Sequence, residues 1–112
     1  GAAVMKTHLN SPITESIAMY FYKKHALIGC ICAAPSVLGK YGMLEDKEYT
    51  CFPSFEKLVI GGTYLSDAKV VVSDNIITSK AAGTTFDFAY EIIKYLRSES
   101  IANHIREAVF YN

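Results

Sequence analysis

Leu27-Ile28-Gly29-Cys30-Ile31-Cys32-Ala33-Ala34-Pro35 is the stretch whose reading decides the fold. Its first five residues form a short apolar run, which predicts a strand buried on both faces. Ala34-Pro35-Ser36-Val37-Leu38 reads as the start of a helix, and Gly39 to Gly42 as its end. A strand, a tight turn and a helix in that order are half of a parallel βαβ unit. A nucleophile at such a turn needs small neighbours, because its backbone is strained and flanking residues crowd one another. Cys32 has Ala33 and Ala34 after it and Cys30 two before it. The free amides of the following helix favour thiolate at Cys32 and make the sulfur nucleophilic and oxidisable. Cys30 lies earlier in the strand and is expected to be more buried. Against this stands the plainer reading of both as small apolar core residues, since free cysteine is among the most buried types.

Upstream, Ser11 can cap a helix whose first position is Pro12. Ile13, Ile17, Tyr20 and Phe21 recur at helical spacing, and Lys23-Lys24-His25 suits the helix end. Downstream, Glu48–Phe52 reads as a short strand stopped by Pro53. Phe55–Ile60 reads as one or two helical turns ended by Gly61-Gly62. Ala68–Val72 and Ile76–Ser79 are β-branched runs joined by a hairpin turn at Ser73-Asp74-Asn75. Thr84 and Asp87 have the spacing of a capping box before a helix with Phe86, Ala89, Ile93 and Leu96 on one face. Ile101, Ile105, Ala108 and Val109 make the face of a final helix. The class is α/β with a mostly parallel sheet. One strong central strand, a hairpin and a weak edge are too few to cover these helices. The fold is therefore expected either to be unusually small or to take N-terminal strands from outside these residues.

With 112 residues, the chain fits one small domain. A hydrophobic content of 51% against 20% charged residues permits a real core. The balance of 11 basic and 11 acidic residues argues against nucleic-acid or anionic-membrane partners. No apolar stretch reaches a membrane span, and no basic segment followed by an apolar one resembles a secretory leader. Three cysteines, two of them one residue apart, make a disulfide framework improbable and fit a reducing cytoplasm. Cys51, at a strand end, reads as a small residue near a bend. His8, His25 and His104 show no metal spacing with the cysteines, and Cys30-x-Cys32 is not a C-x-x-C motif, so neither a metal nor a cofactor is expected. Ser79-Lys80-Ala81-Ala82-Gly83-Thr84 is an anion-loop candidate, but reads better as a plain loop with a helix cap. The eight tyrosines read as packing residues.

The elbow stretch resembles the nucleophile strand of the ThiJ/PfpI superfamily, in the branch of the Parkinson-disease-associated protein deglycase. The similarity continues through Leu38-Gly39, Tyr49-Thr50-Cys51-Phe52-Pro53, Gly61-Gly62, Ile76-Ile77-Thr78-Ser79 and Gly83-Thr84-Thr85-Phe86-Asp87-Phe88-Ala89. It covers nearly the whole chain in order. The resemblance implies a flavodoxin-like three-layer sandwich of nearly twice this length, of which residues 1–112 are the C-terminal portion. It places Gly1 in the Gly-rich turn that supplies an oxyanion-binding amide alongside Ala33, with the first strands and the acidic partner of the cysteine before Gly1. It further implies a homodimer. Three positions depart from the family pattern. Ala33 stands where the protease-like branch has histidine, which argues against peptidase activity. Phe52 stands where the deglycase has histidine, and Lys80 where the family has arginine.

The activity implied is a glutathione-independent glyoxalase or protein deglycase. The Cys32 thiolate attacks a small α-oxoaldehyde or its adduct on a protein amine, and the amides of Ala33 and Gly1 hold the oxyanion. No basic group near Cys32 is evident in the sequence, so the proton carrier is expected from outside these residues, and this chain alone is expected to be inactive. The alternatives are a non-enzymatic oxidation sensor or chaperone acting through Cys32, and a structural relative with a dead site.

Overall fold

The computed structural model describes residues 2–109. Helix α1 (Ala2–Leu9), which the sequence patterning does not announce, is followed by α2 (Pro12–Lys23). Ser11 caps α2 as its sequence predicts, its Oγ accepting from the Thr14 amide at 3.2 Å. Strand β1 (Ile28–Ile31) then turns into α3 (Pro35–Lys40). After β2 (Glu48–Tyr49), a 3₁₀ turn at Phe55–Leu58 and β3 (Thr63–Tyr64), the hairpin β4 (Val70–Ser73) and β5 (Ile76–Ser79) returns to the sheet. A second 3₁₀ turn at Ala82–Thr84 leads into α4 (Thr85–Leu96) and α5 (Glu99–Ala108).

The main sheet has the order β1-β5-β4. β1 runs parallel to β5, with Ile28 opposite Ile76 and Ile31 opposite Ser79. β4 is antiparallel to β5, as the predicted hairpin requires, and Asp74 takes a left-handed φ of 56° in its turn. β2 and β3 form a separate parallel pair. Leu38, Met43, Leu44, Tyr49, Cys51 and Ile76 make the main core, against which Ile28 and Cys30 pack. On the opposite face of the sheet, Phe88 and Ile92 of α4 lie over Gly29. Helices thus cover both faces, giving the three-layer α/β arrangement.

Three expectations need correction. β1 is an edge strand among the described residues, as the expected need for strands from outside them implies, but it is not buried on both faces: Ile28, Cys30 and Ile31 are partly buried and Gly29 is exposed. The predicted strand Glu48–Phe52 stops at Tyr49. Beyond it the Thr50 amide donates to Thr78 Oγ1 and the Phe52 amide to the Cys32 carbonyl, so neither continues a ladder. The helical periods of α2 and α4 hold, and the expected shortage of sheet shows in their exposed apolar residues. α2 turns Ala18, Met19 and Tyr22 to the core and leaves Ile13, Ile17, Tyr20 and Phe21 exposed. α4 uses Phe88 and Ile92 against the sheet, while Phe86 and Leu96 are exposed. Thr84 does not cap α4 with its side chain: its hydroxyl meets Ser79 Oγ at 2.6 Å and donates to the Ala81 carbonyl at 2.8 Å.

Candidate active site

The β1–α3 turn is built around one conformation. Cys32 has φ 66°, the left-handed region that costs a residue with a Cβ roughly 1–2 kcal/mol. Surrounding bonds hold it there. The Cys32 amide donates to the Ser79 carbonyl at 3.0 Å, and the Cys32 carbonyl accepts from the Phe52 amide at 2.7 Å. The next turn tightens on itself: Ala34 N–H donates to the Ile31 carbonyl at 3.2 Å, and Ser36 N–H to the Ala33 carbonyl at 3.1 Å. Fully buried Ser36 adds a 2.6 Å bond from its hydroxyl to that same carbonyl. Pro35 brings no N–H. Of the amides from Cys32 to Val37, only that of Ala33 makes no hydrogen bond among the described residues. The free helix-start amides expected from the sequence thus reduce to one, and it is the residue after the cysteine.

The three thiols are free and differ in setting. Burial pushes the Cys30 thiol up to about 12. Cys51 is fully buried, and its thiol is pushed up to about 11 by burial, then by the charges of Glu56 and Cys32. In both, burial favours the neutral thiol over the thiolate.

Cys32 and Ala33 line a cavity of about 340 Å³ under α1 and α2. His8, Met5, Thr14 and Ala18 form its other side. The imidazole of His8 is anchored through Nδ1, 2.8 Å from Thr14 Oγ1, and the Tyr41 hydroxyl donates to the His8 carbonyl. His8 thus shares the lining of this pocket with Cys32, from the α1 side. The sequence holds no local signal for it, because the placement depends on α1 folding back over α3. Gly1, the second expected oxyanion donor, lies outside the described residues.

The other candidates are structural. Gly61 and Gly62 have φ of 71° and 77°, and a Cβ on Gly62 would sit 2.7 Å from the Leu44 carbonyl. In the 79–84 loop, Lys80 Nζ donates to the Ser66 carbonyl at 2.9 Å and the Ala81 amide to Thr84 Oγ1 at 3.2 Å. These bonds hold the loop against the 66–69 segment and its own Thr84. Phe52 is exposed beside Phe55, its amide tied to Cys32. No cluster of three or more metal-ligating side chains occurs among the described residues, and none of their helices is long and apolar enough to cross a membrane.

The sequence profile of the DJ-1/PfpI family matches residues 1–95. The chain is 36% identical to Protein DJ-1alpha of Drosophila melanogaster, over 99% of this chain and 52% of that protein. It is 34% identical to Glutathione-independent glyoxalase DJR-1.2 of Caenorhabditis elegans, over 84% of this chain and 50% of the relative. The crystal structure of Drosophila melanogaster DJ-1beta superposes with a TM-score of 0.91 at 27% identity, covering 100% of this chain and 61% of that one. The chain spans about half the length of the curated relatives it matches.

Proposed function

The chain belongs to the DJ-1/PfpI family, and from that premise we propose that it acts on reactive carbonyls through Cys32, as a glutathione-independent glyoxalase or a protein deglycase. The observation that carries this reading is the left-handed Cys32 on the wall of a cavity, followed by the one uncommitted amide of the turn, that of Ala33. The sulfur adds to the aldehyde carbon of a small α-oxoaldehyde. An S–C bond forms, the C=O π pair moves to oxygen, and the thiol proton leaves to a base. The resulting oxyanion accepts from the Ala33 N–H and is then protonated, giving a hemithioacetal. A relative of similar sequence carries the name glutathione-independent glyoxalase, which agrees with this substrate class.

The same reading includes partners. The open edge of β1 can accept a further strand, and we assign that role to an N-terminal segment of the same protein, which would also bring a carboxylate toward Cys32. A homodimer and a reducing cytoplasmic setting, in keeping with three free cysteines, complete the proposal. Methylglyoxal turnover by the intact protein tests it. Cys32→Ala is expected to abolish turnover, whereas Cys30→Ala retains it. Undiminished turnover in Cys32→Ala refutes the assignment.

A further inference from the structure

We propose that Thr78 is a positioning residue for Cys32, acting through Thr50 on the segment that holds the Cys32 carbonyl. The inference rests on the reading of Cys32 as the reacting residue and says what keeps it in its left-handed conformation. Both peptide groups of Cys32 are held from the end of β5. The Cys32 N–H donates directly to the Ser79 carbonyl at 3.0 Å. The Cys32 carbonyl accepts from the Phe52 N–H at 2.7 Å, and Phe52 lies beyond the end of β2, outside that strand's ladder. Its position is fixed two residues earlier, where the Thr50 N–H donates to Thr78 Oγ1 at 2.9 Å. Cys51, between them, is fully buried, and Pro53 disfavours helical backbone at Phe52. Residues 50–53 therefore form a short, stiff strut from β5 to the cysteine.

The bond to Thr50 accounts for a hydroxyl at position 78. Ile76 and Ile77 before it are buried apolar residues, and Thr78 itself is 1% exposed. A valine has the same shape, whereas a buried hydroxyl costs free energy unless it is hydrogen-bonded. Thr78 gives its oxygen to an amide that has no strand to pair with, since β2 stops at Tyr49. The two arms of the support are also braced together. The Ser79 hydroxyl donates to the Lys69 carbonyl at 2.9 Å, and the Thr50 hydroxyl to the neighbouring Ala68 carbonyl at 3.2 Å. A left-handed residue with a Cβ persists only where its surroundings over-determine it. Without the Thr78 hydroxyl, the buried Thr50 N–H loses its acceptor and the strut moves to find another. The Phe52 N–H then draws away from the Cys32 carbonyl. Cys32 relaxes toward the strand line in which Cys30 stands, and the sulfur loses its alignment with an incoming electrophile.

Hydrogen exchange, alkylation and turnover test this on the intact protein. Thr78→Val removes the hydroxyl at constant shape. Thr78→Ala removes it without the bulk and serves if the valine variant does not fold. Thr78→Ser keeps the hydroxyl. In the first two, exchange of the Phe52 amide is expected to rise selectively, while the β4 amides keep their protection. Cys32 alkylation by iodoacetamide and kcat for methylglyoxal fall by roughly ten- to a hundredfold, with KM near its wild-type value, as expected of a misplaced nucleophile. Thr78→Ser restores all three. A folded Thr78→Val or Thr78→Ala with wild-type Phe52 exchange and wild-type Cys32 alkylation overturns the proposal. So does a loss of protection spread evenly over β4 and β5, which marks Thr78 as a merely structural residue. If the wild-type protein turns over no methylglyoxal, the carbonyl chemistry falls, while exchange and alkylation still decide what Thr78 does for Cys32.

Discussion

At Cys32 a side chain's chemistry is set by its backbone. The left-handed φ turns the residue out of the strand line, while Cys30, two residues earlier, stays in the sheet with its thiol pushed up to about 12. Mild peroxide or alkylation at pH 7–8 is therefore expected to mark Cys32 first, and preferential labelling of Cys30 or Cys51 would contradict the assignment. The same two buried thiols give a pH dependence whose sign is fixed. Their folded values, about 12 and about 11, lie above the ordinary 9.0, so the unfolded chain loses these protons first. Their contribution to stability is complete below pH 9 and declines as pH rises through 9 toward 11–12. Melting temperatures followed from pH 7 to 10.5 are expected to fall at the alkaline end, less steeply in Cys51→Ala relative to its own neutral value. The elbow was legible in the sequence because its frame of small residues is local. The pocket wall from α1 and α2 was not, because it depends on α1 folding back against α3, which no local spacing announces.

Elements show the same division between local and tertiary causes. Ser11-Pro12 marks the start of α2 because cap and proline act within one turn, and the hairpin at 73–75 follows from β-branched runs around a polar turn. The cap at Thr84 was misread because Ser79, across the loop, takes its hydroxyl. Which α4 residues meet the sheet was not legible, because a helical period gives a stripe but not its partner: Phe88 and Ile92 lie where Gly29 carries no side chain. Gly39 shows how tightly α3 is seated by the same means. A Cβ there would lie 2.6 Å from both methyl carbons of Val59, next to the 3₁₀ turn that flanks the cavity-lining helix. Gly39→Ala is expected to destabilise by about 1–3 kcal/mol, an overpacking cost that outweighs the gain in helix propensity. Denaturant unfolding measures it. Val59→Ala in the same chain should recover part of the loss; a neutral Gly39→Ala would show that the 3₁₀ turn yields freely.

The described residues leave two features open: a strand edge and an apolar helix face. β1, the strand that carries Cys32, has no strand on its second edge among the described residues. α2, the next element before it, exposes Ile13 at 73%, Ile17 at 55%, Tyr20 at 59% and Phe21 at 46%. The sequence already implied this imbalance, since it offered more apolar helix faces than sheet to receive them, though which faces stayed open depended on packing that only the fold displays. Exposed single hydrophobes are ordinary, but four on one helix and, separately, an unpaired strand edge each favour association. The 112-residue chain in isolation is therefore expected to self-associate, with light scattering giving a mass that rises with concentration. Ile17→Glu should weaken that association without unfolding the chain, because the side chain is exposed and α2 buries Ala18, Met19 and Tyr22 instead. A segment that completes the sheet along β1 should suppress it as well, and should protect the amides of Gly29 and Ile31 from hydrogen exchange. A chain that stays monomeric at every concentration, with those amides unprotected whatever is added, would mean that the open edge is tolerated as it stands and that the proposed strand partner does not exist.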